Sequence, residues 1–157
     1  MAGRMYYVDL PPTAITVAAD LFELTPADDK PIRVLAVNLH QTSDFGDAQD
    51  EIISLVWVRG HTTSGSGGST PTPRPVNPTD QAAGFTAEAA NTTAASAGTT
   101  VNLARHGFNV RGGLERPYTP DECPEASQAN TTLVLRMAAA PADSLTIGGS
   151  ILVEELG

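Results

Sequence analysis

The residues able to do chemistry are few and widely spaced. His40, His61 and His106 have no second ligand at the short spacings that zinc sites use. They are expected to be ordinary, partly exposed histidines with no metal bound. Asp44, Asp47, Asp50 and Glu51 gather carboxylates in one stretch. Calcium takes such oxygens, but an EF-hand loop needs acids at alternating positions and a later Glu, which this stretch lacks, so a solvated loop tip is expected. Asp44-Phe45-Gly46 copies a kinase triplet without the other kinase motifs. Gly65-Ser66-Gly67-Gly68 is glycine-rich like a phosphate-cradling loop, yet it runs into prolines and opens neither a G-x-x-x-x-G-K-[ST] nor a G-x-G-x-x-G pattern. A Ser-His-Asp triad needs no sequence proximity, and no spacing here selects one. Cys123 lies in Asp121-Glu122-Cys123-Pro124, where neighbouring carboxylates raise a thiol's pKa. No catalytic residue, cofactor or metal ligand is assigned, and no enzyme activity is expected.

Charge points the same way. The net charge is −9, and an acidic surface repels phosphate backbones and anionic lipid, so neither nucleic acid nor membrane is an expected partner. Arg105, Arg111 and Arg116, with Phe108 and Tyr118 nearby, are read as solvated faces or inter-subunit ion pairs. One cysteine excludes an internal disulfide, so stability must come from packing or association. The first residues lack the apolar core of a signal peptide and no apolar run approaches membrane-spanning length, so cytoplasmic synthesis is expected.

The elements that position these residues are strands. A chain of 157 residues is one domain by length, and 14 glycines and 12 prolines favour short strands and turns over long helices. The strongest strand is Glu51–Gly60. Ile53, Leu55 and Trp57 alternate with Ile52, Val56 and Val58, so both faces are apolar and the strand belongs mid-sheet, covered on both sides. Ile32–Gln41 is similar in its first half and is expected to pair with it as a hairpin-like unit. Such two-sided apolar strands predict association into a homo-oligomer. Met5–Leu10 reads as a first strand ended by Pro11-Pro12, and Leu21–Leu24 as a second. Thr99–Val110 is strand-like with a break at Gly107, followed by Leu114–Tyr118. Thr119-Pro120-Asp121-Glu122 has the form of a capping box for one helical turn. Thr132–Met137 alternates cleanly, and Leu145–Leu156 closes the chain with a bend at Gly148-Gly149. No internal repeat is evident. About eight short strands separated by turns predict an all-β antiparallel sandwich of jelly-roll type.

Between these strands lies one long Gly/Ser/Pro-rich loop, residues 61–83. Its glycines predict a hinge. Its prolines predict a stiff extended segment rising about 3.1 Å per residue. We expect an arm that reaches a neighbouring subunit or a shell protein and is not part of the core, and expect its removal to leave folding nearly intact. Arg74 and Val76 are its candidate partner contacts. Trp57 and Arg59, at the end of the central strand, are two more.

Ile53-Ser54-Leu55-Val56-Trp57-Val58-Arg59-Gly60 with Thr62-Thr63-Ser64-Gly65-Ser66-Gly67-Gly68, Arg116-Pro117-Tyr118-Thr119-Pro120-Asp121-Glu122, Pro141-Ala142-Asp143-Ser144-Leu145-Thr146 and the closing Glu154-Glu155 resemble small β-sandwich virion structural proteins of tailed bacteriophages. The resemblance covers most of the chain from Tyr6 onward and rests on strand and turn patterns. It implies a capsid decoration (cement) protein made in the host cytoplasm. Such a protein sits on the capsid surface of the virion, with the major capsid protein and its own copies as partners, often as a trimer. It transfers no catalytic residue. A carbohydrate- or receptor-binding module of a phage fibre or tail is the alternative, with the Asp44–Glu51 stretch as its acidic site; a small cupin-like enzyme would need clustered histidines.

Overall fold

The computed structural model describes residues 3–43, 50–127, 129 and 131–157. Eight strands make the frame: β1 (Arg4–Ile15), β2 (Asp20–Thr25), β3 (Ile32–Gln41), β4 (Ile52–His61), β7 (Val101–Asn109), β8 (Gly113–Pro117), β10 (Thr132–Met137) and β11 (Leu145–Glu155). Three short strands join them: β5 (Arg74–Pro75), β6 (Thr86–Asn91) and β9 (Glu125–Ala126). One sheet runs β5-β1-β11-β3-β8, with β9 against the end of β3; the other runs β6-β2-β10-β4-β7. The frame strands pair first with last: β1 with β11, β2 with β10, β3 with β8, β4 with β7, all antiparallel. This nesting, split over two packed sheets, is the jelly roll. The long β4–β7 connection adds β5 and β6 at the outer edges, beside β1 and β2.

Alternation builds the core. Tyr6, Val8 and Leu10 of β1, Val34, Val37 and Leu39 of β3, and Ile147, Ile151 and Val153 of β11 face Phe22, Leu24, Ile53, Leu55, Trp57, Leu133 and Leu135 of the other sheet. β4 lies mid-sheet between β10 and β7 as its two-sided pattern requires. Its other face is also covered: Val56 and Val58 are buried beside Val134 of β10, outside the main core. Only Ile52 of that face, 66% exposed, meets solvent as a large apolar side chain. The chain therefore buries most of the surface that suggested association by these strands.

Several sequence expectations are corrected. β3 and β4 do not pair; they lie in different sheets, because nested pairing gives each its own two partners. β1 does not end at Pro11-Pro12. Leu10 faces Gly149 and Thr13 faces Ile147, so the two prolines form a bulge opposite Gly148. Among the described residues β1 meets β5 only at Tyr6 and Tyr7, so the missing proline N–H groups break no ladder there. The irregularity in β7 falls at Leu103-Ala104, opposite Trp57, rather than at Gly107. Thr119–Glu122 is a turn. Glu122 N–H donates to Thr119 O at 2.9 Å, with no helix after it.

The expected arm is also corrected, because residues 61–83 lie along their own domain. Residues 63–69 bridge to residues 89–96 through Thr63/Ser96, Ser66/Thr93 and Ser69/Ala89, each with reciprocal backbone hydrogen bonds of 2.8 to 3.0 Å. Val76 N–H then donates to Met5 O at 2.8 Å, Tyr6 Oη to Gln81 O at 3.0 Å, and the Gly84 and Phe85 N–H groups to Glu155 Oε1 at 2.7 and 3.2 Å. Buried acids from β2 fasten the bridged pair. Glu23 accepts from Gly65 N–H at 2.9 Å, Ser64 Oγ at 2.7 Å and Asn91 Nδ2 at 3.1 Å. Asp20 accepts from Ala95 N–H at 2.7 Å and pairs with Arg136 at 2.6 Å.

This arrangement exposes a repeat. Thr62, Thr63, Ser66, Gly68 and Thr70 recur as Thr92, Thr93, Ser96, Gly98 and Thr100, at a constant offset of 30 residues. The two copies run antiparallel and exchange equivalent positions: Thr63 meets Ser96 where Ser66 meets Thr93. The backbone repeats too. Gly60 and Ala90 both have positive φ, as do Gly67 and Ala97. The β2 acids take the matching N–H groups of Gly65 and Ala95.

Candidate functional site

β7 and β8 are the edge strands of the two sheets on one side of the sandwich. Three polar side chains close it. Trp57 Nε1 donates to Tyr118 Oη at 2.8 Å, and Tyr118 Oη lies 2.7 Å from His106 Nε2. Tyr118 Oη accepts from the indole, and as a hydroxyl it can also donate to His106 Nε2 when the neutral ring carries its proton on Nδ1. Burial, and then the Arg116 charge, hold His106 below the ordinary imidazole range, in keeping with a neutral ring. Burial pushes the Tyr118 hydroxyl up. The Arg116 guanidinium stands over the Tyr118 ring, 5.5 Å from its centroid.

Outside this trio lie two clefts that share Arg59 as a wall. The larger, about 600 Å³, is lined by Arg59, Leu103, Arg116, Tyr118 and the 120–125 turn. The smaller, about 480 Å³, is lined by Arg59, Thr62, Thr99, Val101, Ser127 and Thr131. Arg59 Nη1 donates to Glu125 O at 3.1 Å, which spans the gap between β4 and the turn. Arg116 Nη2 approaches Glu122 at 3.4 Å, with both side chains well exposed. The Cys123 thiol is pushed up first by burial and then by Glu125, Glu154 and Glu122, while Arg33 acts the other way. The raised thiol expected from its neighbours is therefore found, with desolvation as its main cause.

A second surface is the outer face of the first sheet at its β5-β1 edge. The register sets Arg74 opposite Tyr7, and Val76 follows opposite Met5. On the other side of β1, Leu152 is opposite Tyr7 and Glu154 opposite Met5. Tyr7 is 50% exposed, Val76 48% and Met5 41%, so three large apolar side chains gather beside one arginine. Of the four contacts expected from sequence, Arg74 and Val76 fall here, and Arg59 lies in the clefts. Trp57, at 0% exposure, is a core residue with no surface to offer a partner; this corrects its selection. Its place at the end of the central strand suggested it, but alternation turns its side chain inward.

The remaining candidates do not converge. His40 is exposed on β3, and His61 is buried opposite Thr132, its Nδ1 3.3 Å from Ala97 O. No group of three His, Cys, Asp or Glu side chains among the described residues is placed to share a metal ion. Of the acidic stretch, residues 44–49 lie outside the described residues; Asp50 pairs with Arg111 at 2.8 Å and Glu51 accepts from Ala142 N–H at 2.6 Å. Arg105, Arg111 and Arg116 do not share one surface. Arg105 lies opposite Val56 on the outside of the second sheet, while Arg116 covers Tyr118. The chain has no match among family models, curated proteins or solved structures.

Proposed function

We propose that this chain is a structural virion protein of a tailed bacteriophage, a capsid decoration (cement) protein that binds the outside of the shell as a homo-oligomer, most simply a trimer. The observation that carries the reading is the Met5–Tyr7–Val76 face with Arg74 at its side. A cement protein needs a stiff body with an exposed adhesive face, and exposed apolar patches mark association sites. Here the face is built on register-paired strands, so its side chains are held in place before binding, which lowers the ordering cost of association. The jelly roll supports the reading as a frame common to viral shell domains. The sequence resemblance supports it too, and the partners it implies are the major capsid protein and further copies of this chain.

Co-sedimentation tests it. Shells of the phage or prophage encoding the chain, stripped of their own decoration, are mixed with purified protein and pelleted. The protein is expected in the pellet at a stoichiometric, saturable level, and the Tyr7→Glu/Val76→Asp variant in the supernatant. A wild-type protein that stays in solution with its own shells overturns the reading.

A further inference from the structure

We propose that the two clefts flanking Arg59 form one binding site for an acidic saccharide. A carboxylated sugar unit would occupy the smaller cleft and a neutral unit the larger. The inference stands on cleft chemistry alone, independently of shell binding. Both volumes, about 480 and 600 Å³, fall within the range of small-ligand sites.

The smaller cleft is lined by Arg59 and four hydroxyl-bearing residues, Thr62, Thr99, Ser127 and Thr131, and no carboxylate among the described residues lines it. Guanidinium matches carboxylate geometry in a two-bond fork. Glu125 O takes a hydrogen bond from Nη1 of Arg59, which uses one of the five N–H donors on that group. Hydroxyls both donate and accept, as sugar hydroxyls do, so a ring of them suits a polyol better than a bare anion. Val101, nearly half exposed, offers an apolar surface for the C–H face of a sugar ring.

The larger cleft decides between a saccharide and an acidic peptide. Asp121, Glu122 and Glu125 line it with Arg116 and Tyr118. Three carboxylates repel a second acidic side chain, but they accept strong hydrogen bonds from neutral hydroxyls. The charge pattern, the shared Arg59 with no acid among the described residues on one side and three acids with Arg116 on the other, thus suits one carboxylated and one uncharged unit on either side of Arg59.

The test follows backbone amide resonances of Val101 and Ser127 during titration with two probes, a glucuronate–N-acetylglucosamine tetrasaccharide and sialyllactose. Their carboxyl-reduced forms and an acidic hexapeptide serve as comparisons. Saturable shifts are expected with at least one probe. Carboxyl reduction or Arg59→Gln should weaken binding about tenfold or more, since hydrogen bonds to charged groups are worth that much, with Arg59→Lys in between. Should Arg59→Gln fail to fold, the exposed pair Thr62→Val/Ser127→Ala decides by the same titration. Three outcomes overturn the site: no saturable shift with either probe up to about 20 mM, a concentration that would reveal even millimolar affinity; unchanged affinity in the folded variants; or a hexapeptide that binds the same amides as tightly, which would make the clefts a protein dock.

Discussion

Tyr118 Oη stands between two ring nitrogens, accepting from Trp57 Nε1 and sharing a hydrogen bond with His106 Nε2. Protonation of His106 would place a second cation in a partly buried position near the Arg116 charge. The folded pKa of His106 is depressed, whereas the unfolded chain titrates near the ordinary value of about 6.5. The unfolded state therefore binds more protons between these two values. The contribution is fully present above pH about 6.5 and is lost as pH falls from there through the folded pKa. Urea unfolding at pH 7.5 and 5.5 should show the wild type losing up to about 1 kcal/mol more than His106→Gln, which can still accept from Tyr118 but does not titrate. Equal losses in both proteins would remove His106 from the pH dependence. The ion pair of Arg136 and Asp20 is a harsher case, because Asp20 is fully buried. Arg136→Met leaves that carboxylate with the Ala95 N–H and no cation, and should cost about 3 kcal/mol or more in denaturant melts. Asp20→Asn in the same chain should recover part of this loss, since it removes the stranded charge.

The paired repeat shows what a strand-by-strand reading of sequence can and cannot find. Alternation in Ile53–Val58 and Thr132–Met137 gave their faces correctly, because period two is local information. Their partners were not legible: β3 and β4 have the same two-sided pattern and nothing in either segment says that a connection crosses between sheets. The repeat was missed because Ser64, Gly65 and Gly67 correspond to Ala94, Ala95 and Ala97. A glycine-rich copy reads as a flexible hinge and an alanine-rich copy does not, yet both take one backbone shape. The buried acids that hold them, Asp20 and Glu23, look like ordinary polar interruptions of a strand. Two predictions follow at this scale. Ala97 has φ 58° where its counterpart Gly67 has φ 87°, and a side chain in that region is strained by about 1 kcal/mol or more. Ala97→Gly should therefore stabilise the fold and Gly67→Ala destabilise it, each by about 1 kcal/mol, read from urea midpoints. Replacing Ser64–Thr79 with a short glycine bridge removes the Ser64 and Gly65 donors from the buried Glu23 carboxylate, leaving Asn91 Nδ2, and breaks the β5 pairing. Contrary to the expectation for a free arm, it should cost about 3 kcal/mol or more, because each hydrogen bond to a charged group is worth about 1.5–3 kcal/mol.

At the scale of the molecule, the long connection has an architectural role. It leaves β4 on the second sheet, lies along the outside of that sheet, crosses to the edge of the first as β5, and returns as β6. Its middle supplies Arg74 and Val76 to a face whose other apolar members, Met5 and Tyr7, come from β1. Sequence could single out Arg74 and Val76 as the segment's anchoring side chains. It could not reveal Met5 and Tyr7 as their neighbours, because that adjacency exists only once β5 has docked. The face is thus a product of the fold, and stability and association should be separable there. Surface substitutions away from buried groups usually change stability by about 0.5 kcal/mol or less, and Tyr7 and Val76 are each about half exposed. Light scattering coupled to size exclusion should find the wild type as an oligomer at micromolar concentration and the Tyr7→Glu/Val76→Asp variant as a monomer with nearly unchanged melting. A clean monomer of the wild type at that concentration overturns the homo-oligomer proposal and leaves this face only the shell to contact. If the variant still oligomerises, another surface does the joining, and the exposed Ile52 on the opposite sheet is the next residue to change.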